Sequence, residues 1–259
     1  MDGRAAGWLG AVAWRGLVLA CAVLGAAAPA EAAGKLVLWA WERPEDLRFA
    51  GADVEVAAQT GFVELSGRDV RSRGRRFPLK TASGQPTTAV VHVQIAGRRL
   101  LAWTPDQRRA AALAVLAYGR QPWAKRVQVD FEVRRSQRQV LLDLLGDVRA
   151  GLPRGTPLSM TALASWCETE DWLGAAPVDE IVPMLFRMGP EGESVRAKLA
   201  AGRDFAEPRC RAAVAISTDA PLPRLPPGRR IYLFSPRSWT AADFQIVRRR
   251  TEAWSSQGG

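Results

Sequence analysis

Apolar and polar residues alternate in short bursts along this chain, and the bursts recur at near-regular intervals. Eight of them read as β-strands: Leu36–Trp41, Val54–Ala58, Ala89–Ile95, Val127–Val133, Pro157–Leu163, Ile181–Phe186, Ala213–Ser217 and Ile231–Phe234. The fourth is the most informative. Side chains alternate faces along a strand, so Val127, Val129, Phe131 and Val133 share one side while Gln128, Asp130 and Glu132 share the other.

Between the strands lie segments of helical period. Pro105–Tyr118 opens on proline and stops at Gly119. Ser136–Ala150 sets Val140, Leu141, Leu144, Leu145 and Val148 on one stripe, with Ser136 as the expected N-cap and Gly151 past the end. Ser194–Ala201 ends at Gly202, and a last helix is expected from Ala241 to about Trp254, with Ser255–Gly259 as a loose tail. Strand–helix alternation predicts a parallel sheet, and eight units predict its closure into a (β/α)8, TIM-like barrel of the α/β class. Two crossovers are expected to be degenerate. The second, Gly61–Pro86, is basic with no clear helix, and the seventh, Asp219–Arg230, holds four prolines.

Closing the barrel would turn one face of every strand into the lumen. TIM-barrel lumens are usually filled by Val, Ile and Leu, yet several strands here offer polar side chains. Strand three sets His92 and Gln94 against Val91, Val93 and Ile95, and strand two sets Glu55 and Gln59 against Val54, Val56 and Ala58. Strand seven sets Ser217 and Asp219 against Val214 and Ile216, and Glu42 follows strand one. A carboxylate in a low-dielectric lumen is costly unless paired or used, so the C-terminal mouth is the expected site. Trp39, Trp41, Trp166 and Trp239 fall near strand ends, where flat rings either pack the core or stack on sugars. Arg187, after strand six, either neutralises the lumen carboxylates or binds an anionic group.

With 259 residues, 47% of them apolar, the chain can fill one large core. Residues 1–32 carry Arg4 and Arg15, an apolar run from Gly16 to Ala28, and Ala30-Glu31-Ala32, the pattern of a signal peptide cleaved before Ala33. That predicts a periplasmic or secreted protein with one domain over residues 33–259. The rival reading is a lipoprotein box at Val18-Leu19-Ala20-Cys21, which would tether the chain to a membrane through lipid at Cys21. Export permits a Cys167–Cys210 disulfide, whereas a strict barrel places the two cysteines at opposite ends, so both states stay open. One histidine and no Cys/His cluster argue against a zinc site, and no cofactor is implied. Net charge is +10, and since residues 1–32 hold two basic and two acidic groups, it stays +10 without them. That charge suits a solvated basic surface or an anionic envelope polymer; no nucleic-acid module is visible.

Four motifs, Trp39-Ala40-Trp41-Glu42-Arg43-Pro44, Val127–Glu132 followed by Ser136-Gln137-Arg138, Leu163-Ala164-Ser165-Trp166-Cys167, and Val182-Pro183-Met184-Leu185-Phe186-Arg187-Met188-Gly189, resemble an exported bacterial family known as a domain of unknown function. The resemblance spans the mature chain and implies the barrel. A more distant likeness is to the chitinase-type family 18 glycoside hydrolases, whose fourth strand ends in Asp-x-x-Asp-x-Asp-x-Glu. Asp130 and Glu132 match its last two acidic positions, while Lys125 and Gln128 replace the first two. Of that family's Met-x-Tyr-Asp on strand six, Met184 matches and Phe186 and Arg187 depart. Together these imply a barrel acting on carbohydrate or a cell-envelope polymer. Glu132 would be the general acid and Asp130 its support, with Glu42 or Asp219 as a second carboxylate. Trp39, Trp41, His92, Gln94, Gln128, Trp166, Arg187 and Trp239 would line the site. Recognition of an envelope glycan or a protein partner without catalysis is the alternative.

Overall fold

The computed structural model describes residues 36–256, apart from 52, 83, 85, 86, 98 and 221–227 and the side chains beyond Thr251. The expected signal peptide, Cys21 and most of the seventh crossover lie outside the described residues. In chain order the strands before the first helix are β1 (Leu36–Ala40), β2 (Glu45–Leu47), β3 (Glu55–Ser66), β4 (Asp69–Gly74), β5 (Leu79–Thr81) and β6 (Thr88–Ile95). Then come α1 (Pro105–Gly119), β7 (Arg126–Asp130), α2 (Arg138–Gly151), β8 (Leu158–Leu163), α3 (Trp166–Thr169) and β9 (Glu180–Met184). The chain finishes with α4 (Gly192–Ala200), β10 (Ala213–Ser217), β11 (Arg230–Phe234) and α5 (Ala241–Ser256).

The strands β1, β3, β6, β7, β8, β9, β10 and β11 pair in parallel, each with the next, and β11 pairs back onto β1 through Val37 and Tyr232. Eight parallel strands therefore close a TIM-like barrel with helices between strands. The β3-to-β6 passage holds β4 and β5, the latter paired with β2. Alternation sorts the two faces as expected. Val127, Val129 and Phe131 join Leu141, Leu144, Leu145 and Val148 of α2 in the outer core. Val37, Trp39, Ala57, Val90, Val182, Met184, Ala213, Ala215, Tyr232 and Phe234 form a second, inner cluster. Register then places the polar lumen residues. Thr88 sits beside Arg126, Gln128 beside Ser159, and His92 beside Asp130.

The largest departure from the expected strands is β3, which continues past Ala58 to Ser66. A register shift falls between Gln59 and Gly61, and a side chain on Gly61 would sit 2.4 Å from Cβ of Tyr118. Glycine is thus required where α1 lies close against the strand, and it interrupts the hydrophobic pattern that would have announced the continuation. Beyond it, β3 pairs with β6 as far as Leu65 and Ile95 and with antiparallel β4 through Phe62–Arg73 and Glu64–Arg71. The neighbouring ladders stop at Ala58 on one side and Asp130 on the other. The β3–β4 hairpin and the end of β6 therefore rise above the rim as a wall.

Smaller differences have local causes. The β7 ladder ends at Asp130, three residues before Val133, although Phe131 and Val133 still bury against the helix layer. The β9 ladder ends at Met184, short of Phe186. Ser136 is not the N-cap of α2. A 3-10 turn over Arg135–Gln137 leads into the helix, and the Gln137 side chain accepts from the Arg134 backbone N–H at 3.0 Å. At α1 the expected start holds, with Thr104 Oγ1 accepting from Gln107 N–H at 3.3 Å and proline in the first turn.

At the N-terminal end of the lumen, charge is matched by charge. Arg230 pairs with Glu55, Arg126 lies 2.7 Å from Glu180, and the Tyr232 hydroxyl donates to Glu180 at 2.7 Å. Burial, then the neighbouring Glu180 charge, pushes the Tyr232 hydroxyl well above its ordinary range. Stripping one partner from such a network costs about 3–5 kcal/mol.

Cys167 and Cys210 are joined in a disulfide, with Cα atoms 6.0 Å apart. The objection from opposite barrel ends fails because both segments run along the outside. Cys167 sits in short α3, and Cys210 in a 3-10 turn whose neighbour Glu207 donates its N–H to the Cys167 carbonyl at 3.0 Å. Both cysteines bury in the outer core beside Leu173 and Phe205. The bridge closes a 43-residue separation, for which chain entropy gives roughly 4 kcal/mol. The double variant Cys167→Ala/Cys210→Ala should unfold with a free energy lower by about 2–4 kcal/mol in denaturant titration. A midpoint for the variant equal to that of the oxidised parent would contradict this.

Candidate functional site

The C-terminal end of β7 brings together the site's most constrained group. Asp130 is 5% exposed, its Oδ2 lies 2.7 Å from His92 Nδ1, and its Oδ1 accepts from Thr161 Oγ1 at 2.7 Å. These partners come from β6 and β8, the neighbours of β7 in the sheet, so the parallel register itself sets the contacts. One layer deeper, Gln128 is fully buried and donates to Ser159 at 2.7 Å. Gln128 is thus a lumen residue beneath the site.

His92 is the chain's one histidine. Burial alone would lower its pKa, but the hydrogen bond and charge of Asp130, joined by Glu132, raise it above 6.5. Glu132 follows Asp130 on the same face and is exposed at the rim. The mouth's walls still strip it of some water, and with the Asp130 charge they push its carboxyl up from 4.5, while His92 and Arg187 pull it down. An acid near Asp130 that tends to hold its proton is one that can give it to a leaving oxygen.

Aromatic rings roof the lumen beside this pair. Trp39, with no exposed surface, stacks on Phe234 at 4.3 Å, and Phe186 lies 4.8 Å from Phe234. Trp41 meets Phe234 at 5.7 Å and His92 at 6.5 Å. Above them opens a cleft of about 260 Å³ whose lining includes Trp41, Phe186 and Phe234 together with Arg43, Arg187 and Ser217. The wall contributes Phe62, stacked on His92 at 5.4 Å and covered by the Arg73 guanidinium at 4.8 Å.

The structure therefore gathers Trp41, His92, Asp130, Glu132 and Arg187 at one mouth, with Trp39 as its floor. Other expected residues have different surroundings. Trp166 is buried in the outer core against Trp172 at 5.2 Å, so it packs helices. Trp239 is also buried there; its indole N–H donates to the Trp39 carbonyl at 3.0 Å and its backbone N–H to Glu45 at 2.9 Å. Gln94 stands on the wall and donates to Glu64 at 3.2 Å. Asp219 accepts from the Ser217 hydroxyl. Glu42 pairs with Arg73 and Arg76; burial would raise its carboxyl, but these arginines hold it below 4.5.

Thr161, Phe62, Arg73 and Phe234 escaped the reading of the sequence. Phe62 and Glu64 alternating with Val63 and Leu65 was the available signal, masked by Gly61. Among the described residues no group of His, Cys, Asp and Glu is placed to hold a metal ion. No family model, curated protein or solved structure matches the chain. The chemistry of the mouth itself carries the argument.

A lone histidine makes the site directly measurable. Its raised folded pKa means that its stabilising effect is full below the unfolded value near 6.5 and is lost as pH rises through the folded pKa. NMR titration of the untagged protein should show the imidazole titrating above 6.5. Asp130→Asn should bring that midpoint below 6.5, because burial then acts unopposed by its closest charge. An Asp130→Asn midpoint unchanged from that of the parent protein would contradict the pairing.

Proposed function

We propose that this barrel acts on carbohydrate at its C-terminal mouth, with glycosidic cleavage as the reaction and Glu132 as the acid. The observation that carries the proposal is the position of Glu132. It lies two residues past the end of β7, close enough to Asp130, to His92 and to Arg187 of an aromatic-walled cleft for their charges to act on its carboxyl. Cleavage of a glycosidic bond needs a proton for the leaving oxygen and negative charge near the anomeric carbon. Glu132 supplies the proton. Asp130, oriented by His92 and Thr161, holds its negative charge beside that acid. Trp41 offers a flat apolar face of the kind on which a sugar ring stacks. The likeness of Asp130 and Glu132 to the chitinase-type fourth-strand motif supports the same roles.

Residues 1–32 are read as an export signal that delivers the chain to the periplasm or the outside, with lipidation at Cys21 the rival fate. The Cys167–Cys210 bridge supports an oxidising compartment. Among the described residues no helix is long and apolar enough to cross a membrane. The partner is then an extracytoplasmic glycan.

A second reading keeps the glycan and drops the catalysis. Glu42, the candidate second carboxylate, is committed to Arg73 and Arg76, which favours recognition without cleavage.

Product release from a broad glycan panel decides between them. Glu132→Gln should lower release by about 10²–10⁴-fold. Activity in the parent should fall as pH rises through the Glu132 pKa, which lies above 4.5, because only the protonated form is competent. Release that survives Glu132→Gln would remove Glu132 from the reaction. Binding with no release from either protein would establish the second reading.

A further inference from the structure

Arg187 is the residue at the mouth whose conformation and surroundings are left unexplained by acid catalysis. Its backbone sits at φ +51°, in the left-handed region that a non-glycine residue adopts only at a cost. Glycines follow the common practice elsewhere in this chain, occupying such positions at Gly51, Gly97 and Gly189 among others. An arginine here is retained in a conformation that glycine would take freely. The side chain lines the cleft with Trp41, Phe186 and Phe234. It is near enough to Glu132 for its charge to be felt, yet the two form no ion pair, and Arg187 has none with any other described residue.

Contrast sharpens the point. Arg43, also lining the cleft, is bound to Glu45 and to the carbonyls of Ser235 and Pro236. Arg73 is held by Glu42. Among the described residues Arg187 is therefore the cleft cation with no ion-pair partner.

The wall presents two more arginines, Arg73 paired with Glu42 and Arg71 opposite Glu64. Cross-strand pairs share a face, so Arg71 and Arg73 of β4 stand with Phe62 and Glu64 of β3. Phe62 stacks on His92, which turns toward the lumen to meet Asp130, whereas Val63 and Leu65 bury on the opposite face in the outer core. The polar face of the wall is continuous with the mouth, and Arg71 is exposed on it with no ion pair among the described residues.

We infer that the glycan taken at this mouth is acidic, its carboxylate or phosphate group received by Arg187 in the cleft and further anionic units running along the β3–β4 wall. This deepens the carbohydrate reading and rests on it. A planar guanidinium suits either oxyanion, since both accept two parallel N–H bonds. The chain's charge of +10 assists capture at a distance, though only the cleft geometry selects the place.

The test is calorimetric titration of the purified protein with three oligosaccharides of equal length: uncharged glucose oligomers, oligogalacturonate, and a phosphorylated oligosaccharide. Arg187→Gly serves as the partner protein, because glycine accepts the left-handed backbone and the fold should melt no lower than the parent. The expected result is binding of at least one acidic oligomer roughly tenfold or more tighter than the neutral one, weakened by salt. Arg187→Gly should abolish that preference. Which acidic oligomer wins separates carboxylate from phosphate. Equal affinity for neutral and acidic oligomers would overturn the inference while leaving the carbohydrate reading in place. A preference for acid that survives Arg187→Gly would overturn the assignment to Arg187. Failure of all three to bind would bring down both proposals together.

Discussion

Closing eight parallel strands into a ring removes every sheet edge from the barrel, and it also forces alternate side chains into a dry interior. Whatever charge the sequence places on that face must find a partner inside. At the N-terminal end the partners are mutual, Arg126 and Arg230 against Glu180 and Glu55. In the middle, Gln128 meets Ser159. At the C-terminal end Asp130 is satisfied by His92 and Thr161. The same alternation that buries Asp130 brings Glu132 to the rim two residues later. The site is thus the top layer of a lumen in which paired polar side chains sit among an apolar inner cluster, and its electrostatics follow from strand register.

The aromatic roof has a related cause. Trp39 and Phe234 stack in the lumen just where the strands end, and Phe234 with Phe186 lines the cleft above. Trp41 continues the roof upward and meets His92 edge-on. The cleft and the Asp130–His92 pair therefore meet at Trp41, and the wall of β3, β4 and β6 extends the mouth to one side.

Much of this was legible in the chain. Eight bursts of alternation mark all eight barrel strands, because period two survives wherever one face packs on helices. The polar lumen positions His92, Gln128, Asp130 and Glu55 were readable for the same reason. The wall was hidden because Gly61, required by the approach of Tyr118, breaks the pattern in mid-strand. Trp166 and Trp239 were misleading because proximity to a strand's end does not say which way the following turn faces; both bury in the outer core. Pairing of Cys167 with Cys210 depended on two crossover segments meeting outside the barrel, which no local pattern encodes. Thr161 gained meaning only from register, as the group that meets Asp130 from β8.

A ligand bound over the Asp130–His92 pair would be sensed by the chain's lone histidine. The most direct measurement is the NMR signal of the His92 ring during titration with a bound glycan. A saturable shift is expected, its midpoint equal to the binding midpoint, since the ligand would sit against Trp41 and Glu132 around that ring. A glycan that binds tightly and leaves the His92 signal unmoved would place the site elsewhere.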